Sequence, residues 1–186
     1  MDKRYSVLMS VYKKERPEYL HAALKSMTGQ SWRPSEIVLV CDGPLTTELE
    51  AVLKDAEFHS LLKTVRLEKN AGLGAALAKG LPECSCEWVA RMDSDDIAAS
   101  NRCEKQLRYL ETYPETDVLS GTIAEFQGEA QTEREEAKHC LQEMCAPDSD
   151  RGCILYKNAQ SCESPLRYVS KVKGTDSRWI SALPVI

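Results

Sequence analysis

The chain predicts an α/β fold, a mostly parallel sheet with helices on both faces, and three observations carry that prediction. Short apolar runs alternate four times with segments of helical period. The runs are nearly continuous in apolar residues, as in strands buried on both faces, where a half-solvated strand would alternate. No hairpin turn joins consecutive runs, so each connection must cross over, and crossovers that carry helices build parallel sheets.

Each element has its own warrant. The run over residues 5–12, YSVLMSVY, reads as the first strand, and Pro17 opens a helix in which Leu20, Ala23, Leu24 and Met27 recur before Gly29 stops it. A second strand over 36–41 ends in the turn former Asp42-Gly43-Pro44. Thr47 and Glu50 are spaced as a capping box for the next helix, with Leu49, Val52, Leu53 and Ala56 expected on its inner face. The third strand, over 64–67, leads through Asn70-Ala71-Gly72-Leu73-Gly74 into an Ala/Leu helix ending near Gly80, and the fourth strand occupies 88–92. After an acidic turn, Asn101 and Glu104 are placed to cap a helix bearing Cys103, Gln106, Leu107 and Leu110, and residues 117–124 read as a fifth strand.

From about Gln127 the texture changes. Ala137, Cys140, Leu141 and Met144 fit one amphipathic stripe, but beyond Pro147 little regular pattern remains. The division expected is therefore a sheet domain over 1–126 and a divergent or truncated segment over 127–186. At 42% hydrophobic and 28% charged residues the composition is that of a soluble globular protein. A net charge of −5 argues against a broad grip on nucleic acid, which needs clustered Lys and Arg to displace counterions. The opening residues carry no secretory leader and no run approaches a membrane span, so the expectation is a cytoplasmic protein that can still dock on a membrane surface. Eight cysteines at irregular spacing, with three histidines and no Cys-x-x-Cys knuckle, favour free thiols over a zinc site or a disulfide framework.

The chemistry concentrates in Arg91-Met92-Asp93-Ser94-Asp95-Asp96, three carboxylates within four residues directly after a strand. Crowded acids repel, so a cation is expected among them, and carboxylates suit Mg²⁺ or Mn²⁺ completed by waters and substrate phosphates. The plainer alternative is a polar turn that caps the next helix. Gly72-Leu73-Gly74 lacks the third glycine of a dinucleotide fingerprint, since Leu77 stands there, and no phosphate-cradling Gly-x-x-x-x-Gly-Lys or Gly-x-Ser-x-Gly elbow occurs. The turns at 12–15, 42–44, 70–74 and 93–96 all follow strands. They therefore fall at one edge of a parallel sheet, where ligands of such folds bind.

Four segments in this order, Ser10-Val11-Tyr12 with Glu15, Glu36 to Asp42-Gly43, Lys69-Asn70-Ala71-Gly72-Leu73-Gly74 and Arg91 to Asp96, resemble the family 2 glycosyltransferases. These are inverting nucleotide-sugar enzymes of GT-A, Rossmann-like fold, and the similarity is to the bacterial polysaccharide-synthesis branch, over residues 5 to about 126. The resemblance implies that Tyr12, Glu15 and Asp42 hold the base and ribose, that Asn70 and Gly72 line the nucleotide pocket, and that Asp93 reaches the ribose. It implies that Asp95 ligates Mg²⁺ or Mn²⁺ bridging the diphosphate, with Asp96 in support. The partners implied are a nucleotide-diphosphate sugar and a glycan or lipid-linked acceptor, with peripheral association at the inner face of the membrane. The family's general base is an acid in a later segment; Glu133, Glu135, Glu136 and Glu143 read as a solvated helix face and none is assigned. Ser100 and Ala78 also stand where the family often has Pro and Asn. Two alternatives follow: a catalytically incomplete nucleotide-sugar-binding remnant, and a sugar-phosphate nucleotidyltransferase, whose Gly-rich loop after the first strand is missing.

Overall fold

A computed structural model describes residues 4–121 and 154–157. The strands are β1 (Tyr5–Val11), β2 (Glu36–Cys41), β3 (Leu62–Arg66), β4 (Trp88–Arg91), β5 (Val118–Ser120) and β6 (Ile154–Lys157), and they form one six-stranded sheet in the order β3-β2-β1-β4-β6-β5. β1 lies parallel to both β2 and β4, and β2 parallel to β3, as the near-continuous apolar runs require. The chain winds outward from β1 through β2 to β3, then returns to the other side of β1 for β4. That reversal opens a crevice at the carboxyl ends of β1 and β4.

The helices are α1 (Pro17–Thr28), α2 (Thr47–Leu53), α3 (Leu73–Gly80) and α4 (Arg102–Thr112). Side chains alternate across the sheet, so Val7, Met9, Ile37 and Leu39 pack in one core with Leu20, Leu24, Leu49 and Leu107 from α1, α2 and α4. Leu8, Val38, Val40 and Val89 form the opposite core with Ala76 of α3. Burying both faces removes most of the strands' apolar surface from water and fixes the height at which each strand ends.

Four local readings are revised. The helix-capping hydroxyl is that of Thr46, which accepts from the Leu49 amide at 3.3 Å, so the cap lies one residue before the expected Thr47, and Glu50 instead pairs with Arg66. Only Thr47 has an acid three residues on, so the capping-box spacing pointed to the second of two adjacent threonines, while the helix is capped by the first without a reciprocal acid. Ala56 falls beyond the end of α2 and is exposed. Asn101 stands at the N-cap of α4 without a side-chain cap bond, while Glu104 reaches Ser31 and Arg108. The fourth revision is β6, which enters antiparallel between β4 and β5 from the segment where no regular pattern was expected.

The expected fifth strand is present as β5, with residues 122–124 outside the described residues. Also outside them lie the 137–144 stripe and Glu133, Glu135, Glu136 and Glu143. Cys41, Cys84, Cys86 and Cys103 are buried and form no disulfide. Among the described residues no helix is long and apolar enough to cross a membrane.

Candidate active site

Every strand-end turn singled out in the sequence contributes to one cavity of about 450 Å³ at the carboxyl edge of the sheet. Tyr12, Glu15, Asp42, Asn70, Gly72, Asp93 and Asp95 all line it. The cavity sits at the strand-order reversal between β1 and β4, the position that the topology favours for a ligand.

Asp42 follows β2 and is nearly buried, with 5% of its surface exposed. One carboxylate oxygen accepts from the Ala71 amide at 2.7 Å; the other accepts from the Gly72 amide at 3.0 Å and the Asn70 side-chain amide at 2.9 Å. Three donors on one ionised group form a charge-assisted clamp that holds the loop before α3 against the end of β2. Gly72 has φ +89°, a left-handed conformation that lets the loop turn into α3, and Gly43, at φ +87°, leaves no room for a side chain, since a Cβ there would lie 2.7 Å from the Asn70 nitrogen. Asp42 thus holds this loop through the protein's own hydrogen bonds.

The loop after β1 presents Tyr12, Lys14 and Glu15. Tyr12 is 43% exposed, a ring with an open face available for stacking. Glu15 accepts from the Arg16 amide at 2.8 Å and from the Ser94 hydroxyl at 2.6 Å. Lys14 and Ser94 also line the cavity, and neither was singled out from the sequence. Lys14 is the only cationic side chain lining it among the described residues, in a wall that carries four carboxylates. A Lys among polar loop residues reads as solvation, so only its placement marks it.

The acidic turn answers its crowding in a way the sequence leaves open, because two guanidinium groups stand within or beneath it. Arg91 forms a close ion pair with Asp93. Arg102, buried at the start of α4, donates to the Arg91 carbonyl at 2.9 Å and packs its guanidinium on the Met92 sulfur. Burial nonetheless raises the Asp93 carboxyl above its ordinary range, with Arg91 opposing and Asp96 and Asp95 adding to the rise. Burial likewise raises Asp96, reinforced by the charge of Asp95. Asp95 is exposed, with no hydrogen-bond or ion-pair partner among the described residues.

This donor set fits a divalent cation. One exposed carboxylate, beside acids whose ionised forms are disfavoured by burial and mutual repulsion, matches an ion that keeps several waters and takes phosphate oxygens from its substrate. It is not a closed cage. Among the described residues only His21, Asp55 and Glu57 bring three ligating atoms within 4.8 Å of one another, and none of these lines the cavity.

Residues 6–164 match the family model Glycosyl transferase family 2. The chain belongs to that family. An uncharacterized glycosyltransferase of Haemophilus influenzae is 46% identical over 123 residues, which is 66% of this chain and 46% of that protein. The amylovoran biosynthesis glycosyltransferase AmsE of Erwinia amylovora is 46% identical over 66% of this chain and 46% of its own length. A UDP-Gal:alpha-D-GlcNAc-diphosphoundecaprenol beta-1,3-galactosyltransferase of Escherichia coli is 39% identical over 67% of this chain and 45% of its own. The chain thus spans about half the length of the curated relatives it matches.

Among solved structures, S. aureus TarS, determined also with UDP and with UDP-GlcNAc, superposes with a TM-score of 0.63 at 22% identity over 84% of this chain and 47% of that one. The mannosyltransferase PcManGT of Pyrobaculum calidifontis, in complex with GDP-Man and Mn²⁺, gives 0.56 at 18% identity over 65% and 36%. These likenesses establish the GT-A fold that the family 2 resemblance implied.

Proposed function

We propose that this family 2 domain transfers a sugar, with inversion, from a nucleotide-diphosphate donor to a glycan or lipid-linked acceptor in cell-surface polysaccharide synthesis. The observation that carries the reading is convergence: seven residues from four separate strand-end turns line one cavity at the switch point of the sheet. In this reading Tyr12, Glu15, Asp42, Asn70 and Gly72 surround the nucleoside and Asp93 reaches the ribose. Lys14 faces the charge of the diphosphate, and Asp95 holds Mg²⁺ or Mn²⁺ with Asp96 behind it.

The bound ion would neutralise charge gathering on the departing nucleoside diphosphate, a Lewis-acid contribution typically worth several kcal/mol. Inversion requires the acceptor hydroxyl oxygen to attack the anomeric carbon as the bond to the diphosphate breaks, with a base taking the hydroxyl proton. No described residue is assigned that base. The donor role is given to residues 1–126; the segment 127–186 adds at least β6 to the same sheet. The E. coli relative is named for a diphosphoundecaprenol acceptor, and an acceptor of that kind would bring this chain to a membrane face.

The test is calorimetric titration of UDP, and of GDP in parallel, with and without Mn²⁺, alongside an assay of UDP-sugar consumption. Metal-dependent binding with turnover supports the transferase. Binding without turnover, with glycan and lipid-linked acceptors both supplied, favours the incomplete remnant. Failure to bind either nucleotide overturns the reading.

A further inference from the structure

We propose that Ser94 is a positioning residue which, through Glu15, couples nucleotide binding to divalent-cation binding. The proposal rests on the nucleotide-sugar reading above and adds a residue that the family resemblance leaves without a role. Ser94 stands between Asp93 and Asp95, yet it does not face solvent as a serine in an acidic turn ordinarily would; it is 7% exposed. Its hydroxyl donates to Glu15 at 2.6 Å across 79 positions of sequence, while the other Glu15 oxygen accepts from the Arg16 amide at 2.8 Å. Both oxygens of Glu15 are therefore engaged by the protein, one on its own loop and one on the acidic turn.

The consequence is mechanical and electrostatic together. Tyr12 and Lys14 belong to the loop after β1, and Asp95 belongs to the turn after β4. A short hydrogen bond to an ionised carboxylate is the strong kind, and it makes the two segments one unit. Whatever orders one then orders the other, so a ligand on the first segment lowers the ordering cost for a ligand on the second. By reciprocity the cation raises nucleotide affinity by the same factor as the nucleotide raises cation affinity. Glu15 in this account acts chiefly by holding Ser94.

The experiment compares the ratio of UDP dissociation constants without and with Mn²⁺ in wild type, Ser94→Ala, Glu15→Gln and the double variant, with thermal melting of each. In Ser94→Ala the ratio is expected to fall by about fivefold, the lower end of ordinary coupling, while metal-free affinity stays within about twofold. The double variant is expected to fall no further than Ser94→Ala alone, because without the Ser94 hydroxyl the Glu15 substitution has no bond left to weaken. An unchanged ratio in Ser94→Ala, or equal loss of affinity with and without Mn²⁺, overturns the coupling role while leaving nucleotide binding standing. If Ser94→Ala does not fold, Glu15→Gln weakens the same bond by removing the acceptor charge and is read by the ratio alone, since Glu15 also lines the nucleoside pocket; an unchanged ratio overturns the coupling role. A wild type that binds neither UDP nor GDP in Mn²⁺ removes the proposed function, and this inference with it.

Discussion

The two ends of the sheet treat half-buried carboxylates in opposite ways. At the amino end, burial acts to raise the Glu36 carboxyl but is outweighed: it accepts from the Ser6 hydroxyl at 2.7 Å, the Ser85 amide at 2.6 Å and the Ser85 hydroxyl at 2.8 Å, and it ends below its ordinary range. At the carboxyl end, burial prevails over the nearby guanidinium groups, and Asp93 and Asp96 end above theirs. One end is satisfied and serves stability. The other is left with disfavoured negative charge beside an exposed Asp95, the pattern expected where a cation binds.

The largest effect is expected at Asp42. Asp42→Ala should leave three donors of the Asn70 loop unpaired, loosening the cavity wall and weakening UDP binding by about 100-fold, in line with about 1–3 kcal/mol for each unsatisfied group offset by access to water. Next is Asp95→Asn, expected to abolish the Mn²⁺-dependent gain in UDP affinity, about tenfold or more, with the melting temperature held or raised by no more than about 1 °C, because the side chain is exposed and its charge repels Asp93 and Asp96. Calorimetry with and without the ion measures both.

At the satisfied end, Glu36→Gln should cost about 1 kcal/mol of stability in chemical denaturation and leave UDP affinity unchanged. Because the folded-state pKa of Glu36 lies below its ordinary 4.5, the stability it contributes is complete above that value and is lost as pH falls through the folded pKa. The gap between wild type and variant should therefore close in acid. The smallest effect is at Asp96, where the sign reverses. Its raised pKa means that ionisation opposes folding at neutral pH, so Asp96→Asn should raise the melting temperature by about 1 °C, a gain that vanishes once wild-type Asp96 is protonated.

The same two ends differ in how far the sequence discloses them. The strand-end turns were legible because a parallel sheet places every such turn on one edge, so topology alone brought Tyr12, Asp42, Asn70 and Asp95 together. Lys14 and Ser94 were not, since lysine and serine in loops read as solvent-facing until packing shows otherwise. The guanidinium groups that answer the acidic turn were equally hidden: Arg91 reads as part of a strand running to Met92 and Arg102 as the start of a helix. The Glu36 network joins residues 30 and 49 positions apart, a distance over which composition carries no signal. β6 escaped because four residues, Ile-Leu-Tyr-Lys, are too few to establish a period.

The most direct test of the contrast between the two ends is to add Mn²⁺ to the UDP-saturated protein and record its paramagnetic broadening of backbone amide resonances. The account predicts that signals of Asp93 to Asp96 disappear first, followed by those of Glu15 and Gly72, while Ser6, Ser85 and Cys86 at the amino end stay sharp. Broadening centred on His21, Asp55 and Glu57, or spread evenly over both ends, would contradict it.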